Sequence, residues 1–260
     1  MIDQPYGAFA YAYDKALGER YFRAIRRMLD DVLERLPAPP AKTHLDVACG
    51  TGLAMRHFVR RGFVSTGIDN SMPMLRMAHG RAPRLVAADM RALPLVRPFS
   101  LVTCLYDALN HMLDRAELVA AFREIARVMD DGALFVFDMN HPDIYPIVWG
   151  MKEPFLEEGD DFSLEIATSW HPRKRLGRAL CRGWRRLPGG ERVEIRERHE
   201  QRSYSENEIT AALADASLTP LETRTFDPYG EGRAVKVFCV AARLSERSEI
   251  HPATPIEFGS

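Results

Sequence analysis

The stretch His44-Leu-Asp-Val-Ala-Cys-Gly-Thr-Gly-Leu53 decides how the chain is read. His44 to Ala48 has the apolar character of a short strand, and a helical pattern opens just beyond a turn that holds Gly50 and Gly52. Two glycines at a strand-to-helix turn let a ligand approach the backbone, and the free amides of the helix start favour a carboxylate or phosphate. A dinucleotide fingerprint, Gly-x-Gly-x-x-Gly, would need a third glycine at position 55, which is Met55. The carboxylate of Asp46 also precedes the turn, where it repels a pyrophosphate and attracts a ligand that carries positive charge.

Working outward, short apolar runs alternate with amphipathic ones. Strands are predicted at His44 to Ala48, Phe63 to Ile68, Arg84 to Ala88, Ser100 to Tyr106 and Ala133 to Asp138. Helices are predicted at Thr51 to Arg61, Met72 to Gly80 and Asp114 to Met129. Such alternation implies a parallel sheet with helices on both faces, because parallel neighbours need a crossover. Upstream, Leu17, Tyr21, Ile25, Met28, Leu29, Val32 and Leu36 recur at helical spacing from Asp14 onward, and Pro37-Ala-Pro-Pro40 ends that helix.

Past Trp149 the period changes to two. Phe162, Leu164, Ile166, Thr168 and Trp170 alternate with polar residues, as do Val193 and Ile195 with Arg192, Glu194, Arg196, Arg198, Glu200 and Arg202. With Pro188-Gly-Gly190 as a turn, this reads as an inserted antiparallel sheet with one wet face. Ser205-Glu-Asn-Glu208 is a capping box that opens a helix to about Ala216, and strands follow near Leu218 to Phe226 and Ala234 to Ala242.

The 260 residues, 46% of them hydrophobic, suffice for one domain with an insertion, and 35 Lys+Arg against 36 Asp+Glu give a net charge of -1. That balance gives no general reason to bind nucleic acid or an anionic membrane. Cys49, Cys104, Cys181 and Cys239 lack close spacing and read as reduced core residues, and no His/Cys spacing supports a metal site. Neither a leader nor a membrane span is read, so a cytoplasmic location is the expectation.

Leu45-Asp-Val-Ala-Cys-Gly-Thr-Gly52 resembles motif I of the class I S-adenosylmethionine (SAM)-dependent methyltransferases. Thr66-Gly-Ile-Asp-Asn-Ser71, Ala87-Ala-Asp-Met-Arg91 and Phe99 to His111 fall into the later motifs of that family, in order. The resemblance covers roughly Tyr11 to Asp138 strongly. Within the family, Ala10-Tyr-Ala-Tyr-Asp-Lys15, the spelling of motif I and the insertion look most like glycine N-methyltransferase and the bacterial nucleotide-sugar amine N-methyltransferases.

The resemblance implies an α/β fold: a doubly wound, Rossmann-like, mostly parallel seven-stranded sheet with an inserted antiparallel β lid. It divides the chain into an N-terminal lid helix (1–36), a SAM-binding core (37–148 and 204–244), the inserted lid (149–203) and a disordered tail (245–260). It also implies that SAM is the cofactor, held by Tyr13, Asp46, Ala48, Gly50, Gly52, Asp69, Asn70, Met74, Asp89, Met90 and Leu105. In that family Asp69 accepts the ribose hydroxyls, and Asp89 and Met90 hold the adenine.

An acceptor is expected against Tyr11, Asp107, Asn110, Asp138 and Asn140. His141, His111 and Tyr13 are the catalytic candidates: either histidine can take a proton near neutral pH, and a phenol stabilises the sulfonium. The insertion has one Lys against six Asp/Glu from Met151 to Trp170, and eleven Lys/Arg against four Glu from His171 to Arg202. The basic half either meets an anionic small-molecule acceptor or forms a self-neutralising solvated face. The leading reading is methyl transfer to an amine, less readily a hydroxyl, of a small molecule, with a homodimer as one option for the assembly. An RNA or protein methyltransferase and a SAM-binding assembly protein without turnover remain as alternatives.

Overall fold

The computed structural model describes residues 8–35, 41–96, 98–227, 232 and 234–243. The expected tail lies outside these residues. Seven strands form the central sheet: β1 (Thr43–Val47), β2 (Val64–Asp69), β3 (Leu85–Ala87), β4 (Phe99–Cys104), β5 (Met129–Asn140), β10 (Leu218–Phe226) and β11 (Lys236–Arg243). Their order is β10-β11-β5-β4-β1-β2-β3. Strands β1 to β5 run parallel, and β11 lies antiparallel between β5 and β10. Chain order reverses between β1 and β4, so the carboxyl ends of these strands flank a crevice where open sheets of this type bind ligands.

Side-chain parity on β5 shows how both faces are covered. Leu134 and Val136 join Phe238 and Val240 against α2 (Glu19–Arg35) and α3 (Leu53–Arg60). Phe135 and Phe137 point the other way, into a cluster with Phe122 and Ile125 of α5 (Arg115–Arg127) and Leu213 of α6 (Glu206–Asp215). Each of these buried phenylalanines contributes about 1.5–3 kcal/mol by leaving water. The capping box of α6 forms as expected, with Ser205 and Glu208 each satisfying the other's backbone.

The second sheet has four antiparallel strands in the order β6-β7-β8-β9: β6 (Phe155–Glu158), β7 (Phe162–His171), β8 (Leu176–Arg186) and β9 (Arg192–Arg202). Its apolar face packs on the N-terminal segment, where Phe9, Ala12 and Ala16 meet Phe162, Leu164, Cys181 and Ile195.

The single helix expected from Asp14 differs in the structure. It begins earlier, as α1 (Phe9–Tyr13), passes through a π-helical turn at Asp14–Gly18 and continues as α2. The extra residue in the π turn rotates the two halves relative to each other. The first half therefore meets the inserted sheet, while Tyr21, Phe22, Ile25 and Leu29 of the second half meet the central sheet.

Candidate active site

Two cavities open at the carboxyl ends of the parallel strands. The first, of about 350 Å³, is lined by the glycine turn and the ends of β2 to β4. The turn is built by left-handed backbone at Ala48 (φ 55°), Gly50 (φ 52°) and Gly52 (φ 79°). A Cβ on Gly50 would meet nothing of the protein within 4 Å, so it would stand in the space left for a ligand. Gly52 serves packing instead: its added Cβ would lie 3.1 Å from Ala78 Cβ, and Gly52 does not line the cavity.

Asp69 ends β2 at the cavity wall, with Oδ2 accepting from Gly50 N–H at 2.8 Å and Oδ1 from Ser71 N–H at 2.8 Å. Burial pushes its carboxyl up, and these two backbone donors oppose the shift. Each oxygen keeps a second lone pair, the acceptor set that a ribose cis-diol needs. Asp89 also lines the cavity, and the Arg91 hydrogen bonds hold its carboxyl below the usual range. Tyr13, Ala48, Asn70, Met74, Met90, Leu105 and His111 complete the expected residues on this wall. The cavity has room and apolar flanks for a nucleoside, and Asp69, Asp89 and Met90 stand together on its wall.

Asp46 is not part of this wall. It is 2% exposed, accepts from the Thr103 hydroxyl at 2.5 Å, and burial pushes its carboxyl up to about 7. Its place is beneath the turn, beside the buried His44, which bridges Ser65 and Thr103. Asp14 ties the N-terminal segment to the glycine turn, a role without a local signal in the sequence. Its carboxylate accepts from the Thr51 hydroxyl at 2.5 Å and from two Arg81 nitrogens at 2.6 and 2.9 Å. Burial alone would raise this carboxyl, but the Arg81 and Thr51 hydrogen bonds outweigh it and hold it below its usual value.

The second cavity, of about 700 Å³, lies between the N-terminal segment, the inserted sheet and the start of β11. Its outer walls are apolar, with Ile147, Trp149, Phe155 and Ile166 among them, and its inner end is polar. Asp107 and Asn140 line it as expected. Lys236, Gln201 and His199 line it as well, and the sequence reading had not singled them out. Lys236, 4% exposed, pairs with Asp107 and lies 3.4 Å from Asp138. Gln201 donates to Asp107 and accepts from Asn140 Nδ2 at 2.8 Å.

Besides Gly52 and Asp46, four expected residues line neither cavity. Asp138 is fully buried and accepts from the N–H groups of Tyr106 and Asp107 at 2.7 and 3.0 Å. Those two residues adopt left-handed backbone (φ 63° and 51°), so the carboxylate fixes a turn that has unfavourable geometry for non-glycine residues. Asn110 is a strut, giving Nδ2 to the Arg202 carbonyl and taking Asn140 N–H on Oδ1. Tyr11 bonds to Asp161 and packs edge-on against Phe162, so it anchors the N-terminal segment to the inserted sheet. His141 Nδ1 accepts from Asp143 N–H at 3.3 Å, away from both cavities. The structure thus does not bring Tyr11, Asn110, Asp138 or His141 onto the wall of either cavity.

The cavities share Tyr13, Tyr106, His111 and His199. Among the described residues, these four side chains stand where the two cavities meet. Burial lowers the His111 ring to about 4, so it is neutral at pH 7. Gln201 Nε2, a donor, faces His111 Nε2 at 3.4 Å, which makes Nε2 the accepting nitrogen.

A doubly wound sheet with an acidic strand end at a glycine turn, joined to a second cavity, has the layout of a nucleoside-binding site beside a second binding site. Residues 45–132 match the family described as Methyltransferase domain. The chain is 38% identical over 136 residues to a dTDP-3-amino-3,6-dideoxy-alpha-D-glucopyranose N,N-dimethyltransferase of Streptomyces fradiae, covering 50% of this chain and 52% of that one. It is 28% identical over 199 residues to a dTDP-4-amino-2,3,4,6-tetradeoxy-D-glucose N,N-dimethyltransferase of Saccharopolyspora spinosa, covering 72% and 75%. The fold superposes with a TM-score of 0.74 on an S-adenosylmethionine-dependent methyltransferase from Clostridium acetobutylicum ATCC 824, at 22% identity over 92% of this chain and 99% of that one. The matched domain, these relatives and the shared fold support a class I SAM-dependent methyltransferase. The likeness to glycine N-methyltransferase is not supported by these comparisons. No helix among the described residues is long and apolar enough to cross a membrane.

Proposed function

We propose that the protein transfers a methyl group from SAM to an amine of a small molecule seated in the second cavity, with an amino sugar as the first class to test. The observation that carries this reading is the joining of the two cavities through Tyr13, Tyr106, His111 and His199 beneath the inserted sheet. A cavity of about 700 Å³ with apolar outer walls and a polar inner end has room for a small acceptor such as an amino sugar.

SAM, when bound, supplies a methyl group on a positively charged sulfur. The chain's part is alignment, because holding an amine in line with that carbon removes most of the entropic barrier. Asp69, Asp89 and Gly50 position the cofactor. Tyr13 and Tyr106 place aromatic rings at the junction, where their faces favour a cation. The neutral His111 ring, its accepting Nε2 already facing Gln201, forms a fixed wall of the junction. Asp107, fixed by Lys236 and Gln201, gives an acceptor for the amine at the floor.

The test is transfer of labelled methyl from SAM to dTDP-3-amino-3,6-dideoxy-alpha-D-glucopyranose and a panel of other primary amines, with total RNA and unfolded protein alongside. Label on a small amine, with S-adenosylhomocysteine released in step, is expected. Label on RNA or protein alone would overturn the reading.

A further inference from the structure

The inner face of β9 changes chemistry along its length. Val193 and Ile195 are apolar, and the next three residues of the same parity are Glu197, His199 and Gln201. The face thus turns polar where it passes the junction of the two cavities, and all three polar residues are largely withdrawn from water. The Glu197 side chain is 6% exposed and the His199 side chain 11%. A carboxylate costs too much to bury unless something nearby uses its charge. Glu197 Oε2 lies 3.3 Å from His199 Nε2, and the His199 ring lines both cavities.

We propose that His199 is the proton acceptor of the reaction and that Glu197 is its positioning residue, so that the inserted sheet supplies the base. This rests on the amine-methyltransferase reading above. An aliphatic amine arrives as an ammonium, R–NH3+, and cannot attack until it loses a proton. That proton passes to the His199 imidazole, whose imidazolium is balanced by the adjacent Glu197 carboxylate. The freed nitrogen pair then forms the N–CH3 bond as the S–CH3 bond breaks, the S–C electron pair staying on sulfur. The positive charge moves from sulfur to the methylated nitrogen.

His111, its ring centroid 6.2 Å from that of His199, lies near the Asp107 carboxylate, but burial outweighs that charge and keeps the ring neutral. Phe9 covers the His199 ring at 5.3 Å, which limits water there. The other titratable or charged groups around this part of the site are His111, Asp107 and Tyr106 from the segment after β4, Tyr13 and Lys236 on the cavity walls, Cys181 opposite Glu197 on β8, and Arg198 and Glu200 beside His199 on β9.

The test follows the His199 ring itself, by 15N-resolved NMR titration of the full chain loaded with S-adenosylhomocysteine. Glu197→Gln removes the charge and keeps the shape, and the His199 midpoint is expected to fall by about one pH unit or more. Glu197→Asp is expected to restore at least half of that fall, and its agreement guards against a folding artefact in the first variant. A midpoint that moves by less than about 0.2 units in Glu197→Gln would overturn the pairing, whatever the acceptor. With an amine acceptor in hand, the acidic limb of the kcat profile is expected to shift by the same amount while SAM affinity stays within about twofold. His199→Gln is expected to lower kcat about 100-fold, and a kcat within threefold of the parent would overturn the role of base. If no amine in the panel is methylated, the amine reading fails while the titration still decides the dyad, so the two failures are distinguishable.

Discussion

The two cavities are built on different principles. The first is made of strand ends and one turn, and its key carboxylate, Asp69, is held by backbone N–H groups at 2.8 Å. The second is assembled from segments far apart in the chain, and its floor rests on side chains: Lys236 with Asp107 and Asp138, and Gln201 with Asn140. Backbone donors come with the fold, whereas a buried charge cluster exists only if every partner is present. The cofactor half should therefore tolerate change at many side chains, and the acceptor half should be sensitive to single ones.

The largest expected effect lies in the charge cluster. Lys236→Met leaves the Asp107 and Asp138 carboxylates buried without their cation and should destabilise the protein by about 3–5 kcal/mol, seen as a lower thermal midpoint. An unchanged midpoint would break the contrast between the two halves. Next comes Asp69→Ala, which removes the acceptor of two backbone N–H groups and of the ribose. SAM affinity by calorimetry should fall about 100-fold.

How far these features can be read from sequence follows the same division. Gly50, Asp69, Asp89 and Met90 lie within contiguous runs at the ends of strands that announce themselves, so local spelling places them together. The parallel core and the period-two insertion were legible for the same reason. Lys236 had only a weak signal, as a lone cation inside Ala234-Val-Lys-Val-Phe-Cys-Val240. Glu197, His199 and Gln201 were marked by parity alone: they continue the inward series begun by Val193 and Ile195. No local pattern announces the contact of Asp14 with Arg81, because it depends on a π turn and spans 67 residues. His141 and Asp138 sit near the right strand end, but their side chains are committed to the Asp143 amide and to the turn at Tyr106.

A smaller effect is expected where the halves are joined. Glu208 at the start of α6 pairs with Arg175 at 2.7 Å and with Arg202 at 3.4 Å, both from the inserted sheet. Burial would raise its carboxyl, but the hydrogen bonds from Arg175 and Ser205 outweigh it and hold it at about 2 against an ordinary 4.5. A depressed carboxyl contributes stability that is fully present above the unfolded value and lost as pH falls through the folded one. With its side chain 26% exposed, the group is partly screened, so Glu208→Gln should cost about 1–2 kcal/mol at pH 7, or a midpoint drop of roughly 3–6 °C. The gap to the parent should close between pH 4.5 and 2. The smallest effect belongs to His141→Ala, which should leave both SAM affinity and kcat within about twofold.

The central claim is that the methyl group passes through the ring of Tyr13, Tyr106, His111 and His199. A crystal structure with S-adenosylhomocysteine bound tests it most directly. The ribose should lie on Asp69 and the sulfur should face that ring, open to the second cavity. A sulfur turned away from the ring, or a ribose held elsewhere than Asp69, would contradict it.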